Sequence, residues 1–356
     1  MENICDIIKR VPRPDEEARR LAQRRWDGIA KPLGSLGQLE TAVARIAALR
    51  GSPDVRPENR RLLVFCADNG VTAQGVSQCG SEVTVRVALA LAEGHSTVNA
   101  MAGPAKCGVV PVDVGMLNFP GHDGVIDARI RNGTGDISIG PAMTRDECVR
   151  ALETGAELAK SAAHEGVDLL LLGEMGIGNT TTAGAVSAVL LGLPPAAVAG
   201  RGAGLSDEGL ARKRAVIERA LAVNAPDPGD PIDVLQKVGG LDLAAMCGAF
   251  LGAAAERLPA VIDGCICAAA ALCAARLCPE AKEGMLAGHV SAEPAGGMLL
   301  KALGLKAPIA AELRLGEGSG AVAFLGLLDM ALAVYNSGQT FDRLGIEAYT
   351  PQSGDI

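Results

Sequence analysis

The chain has 356 residues, enough for two domains or one large domain with an appendage, and either can bury a sizeable core. Its 33 Lys and Arg against 41 Asp and Glu give a net charge of −8, and it has one Trp, two Tyr and five Phe. That balance argues against a duplex nucleic-acid binder, which needs a basic face, and against single-strand binding, which needs stacking platforms.

In chain order, MENICDIIKR has no basic head followed by a long apolar block, so no signal peptide is expected. A first helix is expected from Asp15 to about Ala30, with Pro14 and Asp15 at its start and Glu16 and Glu17 in its first turn. KPLGSLG follows as a Gly/Pro loop. A second helix is expected to start at Ser35, with Gln38 as a capping-box partner and Leu39, Ala42, Val43 and Ile46 as its apolar stripe.

Beyond it the pattern changes. Short apolar runs end in a polar residue or glycine: LLVFCAD at Asp68, VVPVDVG at Asp113 and Gly115, LLLLGEMG at Glu174, AVIDG at Asp263 and MLAGHVS at Ser291. Runs without alternation suit strands buried on both faces. Helical stretches such as Arg145–Glu165 and Asp207–Val223 separate them, so the chain reads as α/β with a mostly parallel sheet. Ligands in such sheets sit beyond the carboxyl ends of the strands, and the polar strand-end residues are expected around one crevice there. After Ser291 the pattern is helical, with a long last helix through Ala321–Tyr335 that can pack with the first helices as a small second domain.

The longest apolar stretches are interrupted by Asp242, Glu256 and Asp329, so no membrane span is expected. Of ten Cys, Cys66, Cys247, Cys265, Cys267 and Cys273 fall inside apolar runs, where Cys behaves as a small hydrophobe. There is no C-x-x-C pair and the four His are scattered, so neither a zinc site nor a disulfide framework is expected. A reducing compartment, the cytoplasm, fits.

Four segments carry chemistry. In GEMGIGNTTTAG, Gly173 to Gly184, glycines follow a buried strand and Asn179, Thr180 and Thr181 open a helix. Backbone amides and a helix N-terminus of this kind can cradle a phosphate, although no Walker-type lysine follows; a tight strand-to-helix turn with Thr caps is the alternative. GRGAGL, Gly200 to Leu205, precedes a helix capped at Ser206, on which Lys213 shares a face with Leu210 and Ile217. An inward lysine needs an anion, which a substrate phosphate would supply; a snorkelling lysine beside Arg212 and Arg214 is the alternative. In LRLGEGSGA, Glu317 lies between two glycines at the start of an apolar helix, as a general base of raised proton affinity or as a carboxylate at a helix N-terminus. GHVSAE places His289 and Ser291 at a strand end; no nucleophile elbow surrounds Ser291, which reads as a hydrogen-bonding hydroxyl.

Together KPLGSLGQLE, CADNGV, GEMGIGNTTTA, GRGAGL, GHVSAE and RLGEGSGA, in that order from Lys31 to Ala321, resemble the nicotinate-nucleotide–dimethylbenzimidazole phosphoribosyltransferase family of cobalamin biosynthesis. The resemblance implies a large Rossmann-like domain, 31–291, and a small helical domain from 1–30 with 292–356. It implies small-molecule substrates, no cofactor or metal, and a homodimer, with a heteromer of related subunits as the alternative. The implied reaction moves 5-phosphoribose from nicotinate mononucleotide to an aromatic base, giving the α-ribotide and nicotinate. Glu317 takes the general-base role and Glu174 a catalytic role beside it. Gly176, Asn179, Thr180, Thr181, Gly202, Gly204, Lys213 and Ser291 fall on the nucleotide and phosphate side, and Cys79, Gly80, Val87 and Leu315 on the acceptor side. This chain departs from the family pattern at Asn69, where some relatives carry His, and in VSQCGSEVTVRV, with Cys79, Gly80 and Val87. Dimethylbenzimidazole is therefore the first acceptor, with other benzimidazoles, purines and phenols open.

Two other classes compete. A nicotinamide-dinucleotide oxidoreductase would carry G-x-G-x-x-G after its first strand, where this chain has CADNG, and would change nicotinamide absorbance on turnover. A non-catalytic nucleotide-binding subunit would be expected to lack Glu317, which is present.

Overall fold

A computed structural model describes residues 2–350. Six parallel strands form one sheet: β1 (Arg60–Ala67), β2 (Cys107–Gly115), β3 (Ile126–Asp127), β4 (Leu169–Met175), β5 (Ala260–Ile262) and β6 (Met285–Ala287), in the order β3-β2-β1-β4-β5-β6. The chain builds outward from β1 on one side and returns to lay β4 on the other, with Leu63 opposite Val110 of β2 and Leu172 of β4. That reversal is the switch point at which Rossmann-type sheets open a crevice beyond their strand ends.

Successive residues of the strands feed two separate cores. Leu63 and Phe65 of β1, with Leu170 and Leu172 of β4, pack under the helices Arg145–His164, Asn179–Leu191, Leu241–Ala255 and Cys265–Leu277. Leu62 and Val64, with Leu169 and Leu171, face the helices Gln38–Arg50, Glu82–Ala92 and Ser319–Tyr335. Both faces are covered, which is why these strands show no polar alternation. With few aromatics available, the helices close in on one another instead. A Cβ on Gly155 would run into the carbonyl of Ala245, and one on Gly248 into that of Leu152, so the helices Arg145–His164 and Leu241–Ala255 touch backbone to backbone.

The helix expected from Asp15 is Glu16–Asp27, capped by Asp15 on the Ala18 amide. The cap expected at Ser35 is not formed. That helix runs Gln38–Arg50 behind Gly37, whose φ of 53° and lack of a side chain leave no side-chain cap. Glu40 holds the KPLGSLG loop in place of Ser35: its Oε1 takes the Leu36 amide at 2.9 Å and Lys31 Nζ at 2.7 Å. The short edge strand β3 carries no sequence signal. The chain ends meet where the rings of Trp26 and Tyr335 lie 4.9 Å apart and Arg25 Nε donates to the Tyr335 carbonyl at 3.0 Å. The first helix, Ile4–Arg10, buries Ile4 and Ile7 in the core on the other side of the sheet.

Candidate active site

A cavity of about 280 Å³ opens beyond the carboxyl ends of β4, β5 and β6. Glu174, Gly176 and Asn179 reach it from the turn after β4, and Thr180 and Gly202 stand at the helix start beside them. Ser291 comes from the stretch after β6, Leu315 and Glu317 from the turn before the last long helix. Cys79 and Val87, with Val83 and Met175, supply apolar wall. Two glycines permit this convergence. A Cβ on Gly176 would enter the Ala67 carbonyl, and one on Gly173 would sit 2.5 Å from the Gly318 nitrogen. The Glu317 turn can therefore lie directly on β4.

That turn is left-handed at three successive residues, Gly316 (φ 86°), Glu317 (φ 60°) and Gly318 (φ 84°). A glutamate in this region is strained, and the surrounding structure holds it there. Its amide donates to the Glu174 carbonyl at 3.2 Å, and the Ser319 amide closes the turn on Gly316 at 3.0 Å. The carboxylate is half-buried, and its Oε2 has no hydrogen-bond partner. Burial pushes its proton affinity up, the Val98 amide and Ser96 hydroxyl oppose this, and the charge of Asp263 adds to the rise. Glu317 lines the cavity, and a carboxylate with an unsatisfied oxygen and a raised proton affinity suits a proton acceptor.

Beside it, Glu174 is pushed up to about 8, first by burial and then by the nearby charge of Asp242. Asp242 is raised to about 6, again chiefly by burial. Asn179 Nδ2 donates to both, to Glu174 Oε2 in a short contact and to Asp242 Oδ2 at 3.1 Å. Two buried carboxylates sharing one amide favour a proton on one of them near neutrality. In the sequence Asp242 read only as an interruption of an apolar stretch; a single acid opening an otherwise apolar helix, LDLAAMCGAF, was the available signal.

Lys213 points inward, as its helix face predicts, and is fully buried. It does not border the cavity but stands one contact behind it, Nζ to Thr180 Oγ1 at 2.8 Å. Burial pushes its ammonium down to about 8, against the pull of Glu293. Glu293 in turn accepts the Gly202 amide at 3.0 Å. A Cβ on Gly202 would come within 2.7 Å of Thr180 Oγ1 and 3.4 Å of Lys213 Nζ, so the glycine keeps the approach to the ammonium clear.

Three other predicted positions lie apart from the cavity. Thr181 is buried with an unpartnered hydroxyl, Gly204 receives the Gln78 amide on its carbonyl, and Gly80 lies in an exposed turn before Glu82. Two of the strand-end acids are also elsewhere. Asp68 is occupied by the Thr84 hydroxyl at 2.6 Å and the Leu117 amide at 2.8 Å. Asp113 is occupied by Arg129 and the amides of Gly115 and Met116. Both tie down loops on the β1–β2 side. Asp263 and His289 do line the cavity, as do Glu293, Cys265 and Arg314, for which the sequence reading assigned no role.

A phosphoribosyltransferase family model matches residues 11–346. The chain is 44% identical over 346 residues to the nicotinate-nucleotide–dimethylbenzimidazole phosphoribosyltransferase of Ruminiclostridium cellulolyticum, covering 97% of this chain and 98% of that protein. It is 42% identical to the enzyme of the same name from Acetivibrio thermocellus, over 98% of this chain and 99% of the other. The solved structure of CobT from Thermus thermophilus superposes with a TM-score of 0.88 at 41% identity, covering 94% of this chain and all of that one.

The chain belongs to the nicotinate-nucleotide–dimethylbenzimidazole phosphoribosyltransferase family.

The sequence blocks that resemble this phosphoribosyltransferase family converge on the cavity in three dimensions. GEMGIGNTTTA, GRGAGL, GHVSAE and RLGEGSGA border it. CADNGV stands behind the floor, where Asn69 Nδ2 donates to the Ile177 carbonyl at 3.3 Å. KPLGSLGQLE anchors the helix Gln38–Arg50.

Proposed function

We propose that this chain transfers 5-phosphoribose from nicotinate mononucleotide to 5,6-dimethylbenzimidazole, giving α-ribazole 5′-phosphate and nicotinate for the lower ligand of cobalamin. The observation that carries the reading is the Glu317 turn: a glutamate with an unpaired carboxylate oxygen lines the same cavity as a glycine-rich helix start backed by Lys213. Relatives of nearly identical length are named for this reaction.

The chemistry follows from the residues. The nucleotide's phosphate lies toward Thr180, Gly202 and Lys213, with Ser291 and the Gly176 turn on its ribosyl side. The acceptor ring lies against Cys79, Val83, Val87 and Leu315. Glu317 removes the proton from one ring nitrogen while the other attacks C1′. The C1′–nitrogen bond to the pyridinium breaks as the new bond forms, and the electron pair leaves on what becomes the neutral pyridine nitrogen. Attack opposite the leaving group converts the β-glycoside to the α-glycoside. Holding both reactants in line supplies a large share of the rate.

This reading includes a cytoplasmic location and a division into a large unit, 31–291, and a small unit formed by 1–30 with 292–356, of which the helices Ile4–Arg10 and Ser319–Tyr335 pack into the two cores of the sheet. The Trp26–Tyr335 contact and the hydrogen bond from Ala30 N to Gln339 O at 3.0 Å support the joining of the two ends. It also includes assembly as a homodimer, with a related subunit as the alternative second member. The test is product analysis after mixing the protein with nicotinate mononucleotide and a panel of benzimidazoles, purines and phenols. α-Ribazole 5′-phosphate with stoichiometric nicotinate is the expected result; a product from another acceptor class alone overturns the choice of acceptor, and no nicotinate release overturns the reaction.

A further inference from the structure

Asp263 follows β5, and its Oδ1 accepts the amides of Gly320 at 2.7 Å and Ala321 at 3.1 Å. These amides belong to the first turn of the helix Ser319–Tyr335, which begins two residues after Glu317. His289 lies beside Asp263, with Nδ1 3.9 Å from Asp263 Oδ1 and without a hydrogen-bond partner. Its ring lies flush on Gly320, where a Cβ would overlap Nδ1. Asp263 and His289 are each 3% exposed, and both line the cavity. An acid so deeply buried, serving only as a helix cap, would be an expensive substitute for the serine or asparagine that usually does this.

We propose that Asp263 is a positioning residue for Glu317: its two amide bonds clamp the helix start that follows the strained turn presenting the base. When ionised it also places a negative charge near that base, against burial that raises its own proton affinity. His289 packs against the clamp at Gly320. The other groups around this pair are Glu174 at the end of β4, Cys267 on the helix Cys265–Leu277, and Ser96 and the Val98 amide beside Glu317. The inference rests on the role proposed for Glu317.

Two substitutions separate clamp from charge. In Asp263→Asn the side-chain oxygen can still accept both amides, so the turn is kept and the charge is lost. Removing a neighbouring negative charge lowers the proton affinity of Glu317. The acidic limb of the kcat profile should move to lower pH by about half a unit or more, with KM for nicotinate mononucleotide within threefold. Asp263→Ala also loses the clamp and should lower kcat at least tenfold below Asp263→Asn, as expected when a catalytic group is misplaced. Carbon-13 NMR titration of the Glu317 carboxyl, assigned with Glu317→Gln, reads the same shift without turnover. It therefore tests the inference even in a chain that fails to transfer phosphoribose. A Glu317 titration in Asp263→Asn superimposable on the wild type overturns the charge role, and equal kcat in the two variants overturns the clamp.

Discussion

The amide of Glu317 donates to the carbonyl of Glu174 at 3.2 Å. This single backbone bond ties the residue proposed as general base to the strand end that carries the turn toward the nucleotide. The backbones of the two residues are thereby fixed relative to one another. Gly173 makes the bond possible, because any side chain there would strike the Gly318 nitrogen.

Glu317→Gln keeps size and hydrogen bonding but cannot accept the acceptor's proton. Its kcat is expected to fall roughly 10²–10⁴-fold, the usual range for a lost general base, with KM for nicotinate mononucleotide changed by less than threefold. In the wild type the base must be ionised, and burial holds its proton affinity above the ordinary 4.5. kcat should therefore fall as pH drops, with a midpoint above 4.5, and this limb should vanish in the residual activity of the Gln variant. Steady-state kinetics across pH check both.

Gly173→Ala is expected to push the Glu317 turn off β4. Misplacing a catalytic group by about 1 Å can cost on the order of 10²-fold in rate. kcat should fall by that order while KM for the nucleotide stays near the wild-type value, since the Lys213 side of the cavity is untouched. Weakened nucleotide binding with kcat preserved would place the base elsewhere.

Lys213→Ala is expected to weaken nicotinate mononucleotide by about 1.5–3 kcal/mol, the worth of a charge-assisted contact, and to leave the phosphate-free riboside unchanged. Because burial brings the ammonium down to about 8, the free enzyme loses this charge as pH rises through that value. Nucleotide affinity of the wild type should decline above about pH 8, and the Ala variant should lack that decline. Calorimetric titration with both ligands measures it.

Glu174 links the site to stability. Its folded proton affinity, about 8, exceeds the ordinary 4.5, so the native state binds more protons than the unfolded chain between those values. The stability present below pH 4.5 is therefore lost as pH rises through 8, by an amount on the order of 5 kcal/mol, shared with Asp242. Glu174→Gln should flatten that part of the urea-unfolding profile and leave activity reduced.

The cavity wall around Cys79, Val83 and Val87 presents few polar groups to the acceptor. A hydrophobic slot separates ring substituents by only about 1–3 kcal/mol per methylene-sized change. In competition assays kcat/KM for several benzimidazoles should spread over no more than about two to three decades. Exclusive use of one would require polar recognition that this wall does not offer.

The sheet was legible because a strand covered on both faces has to be apolar throughout: Leu169 to Leu172 are all fully buried, and no helix period fits them. The inward direction of Lys213 followed from helix spacing alone, and the place of Glu317 at the start of an apolar helix from the run it opens. These are local properties, set by a residue and its neighbours within one turn or one pleat. Which strand-end acids meet was not local. Asp68, Asp113, Asp263 and Glu174 look alike in the sequence. Only the strand order β3-β2-β1-β4-β5-β6 puts the first two among loop amides and Arg129, and the last two in the cavity. The Glu174–Asn179–Asp242 cluster, the Glu293 bond to Gly202 and the Asp263 clamp were invisible for the same reason. Each joins groups from different elements, and a charge buried in such a cluster takes its proton affinity from whatever the fold places beside it.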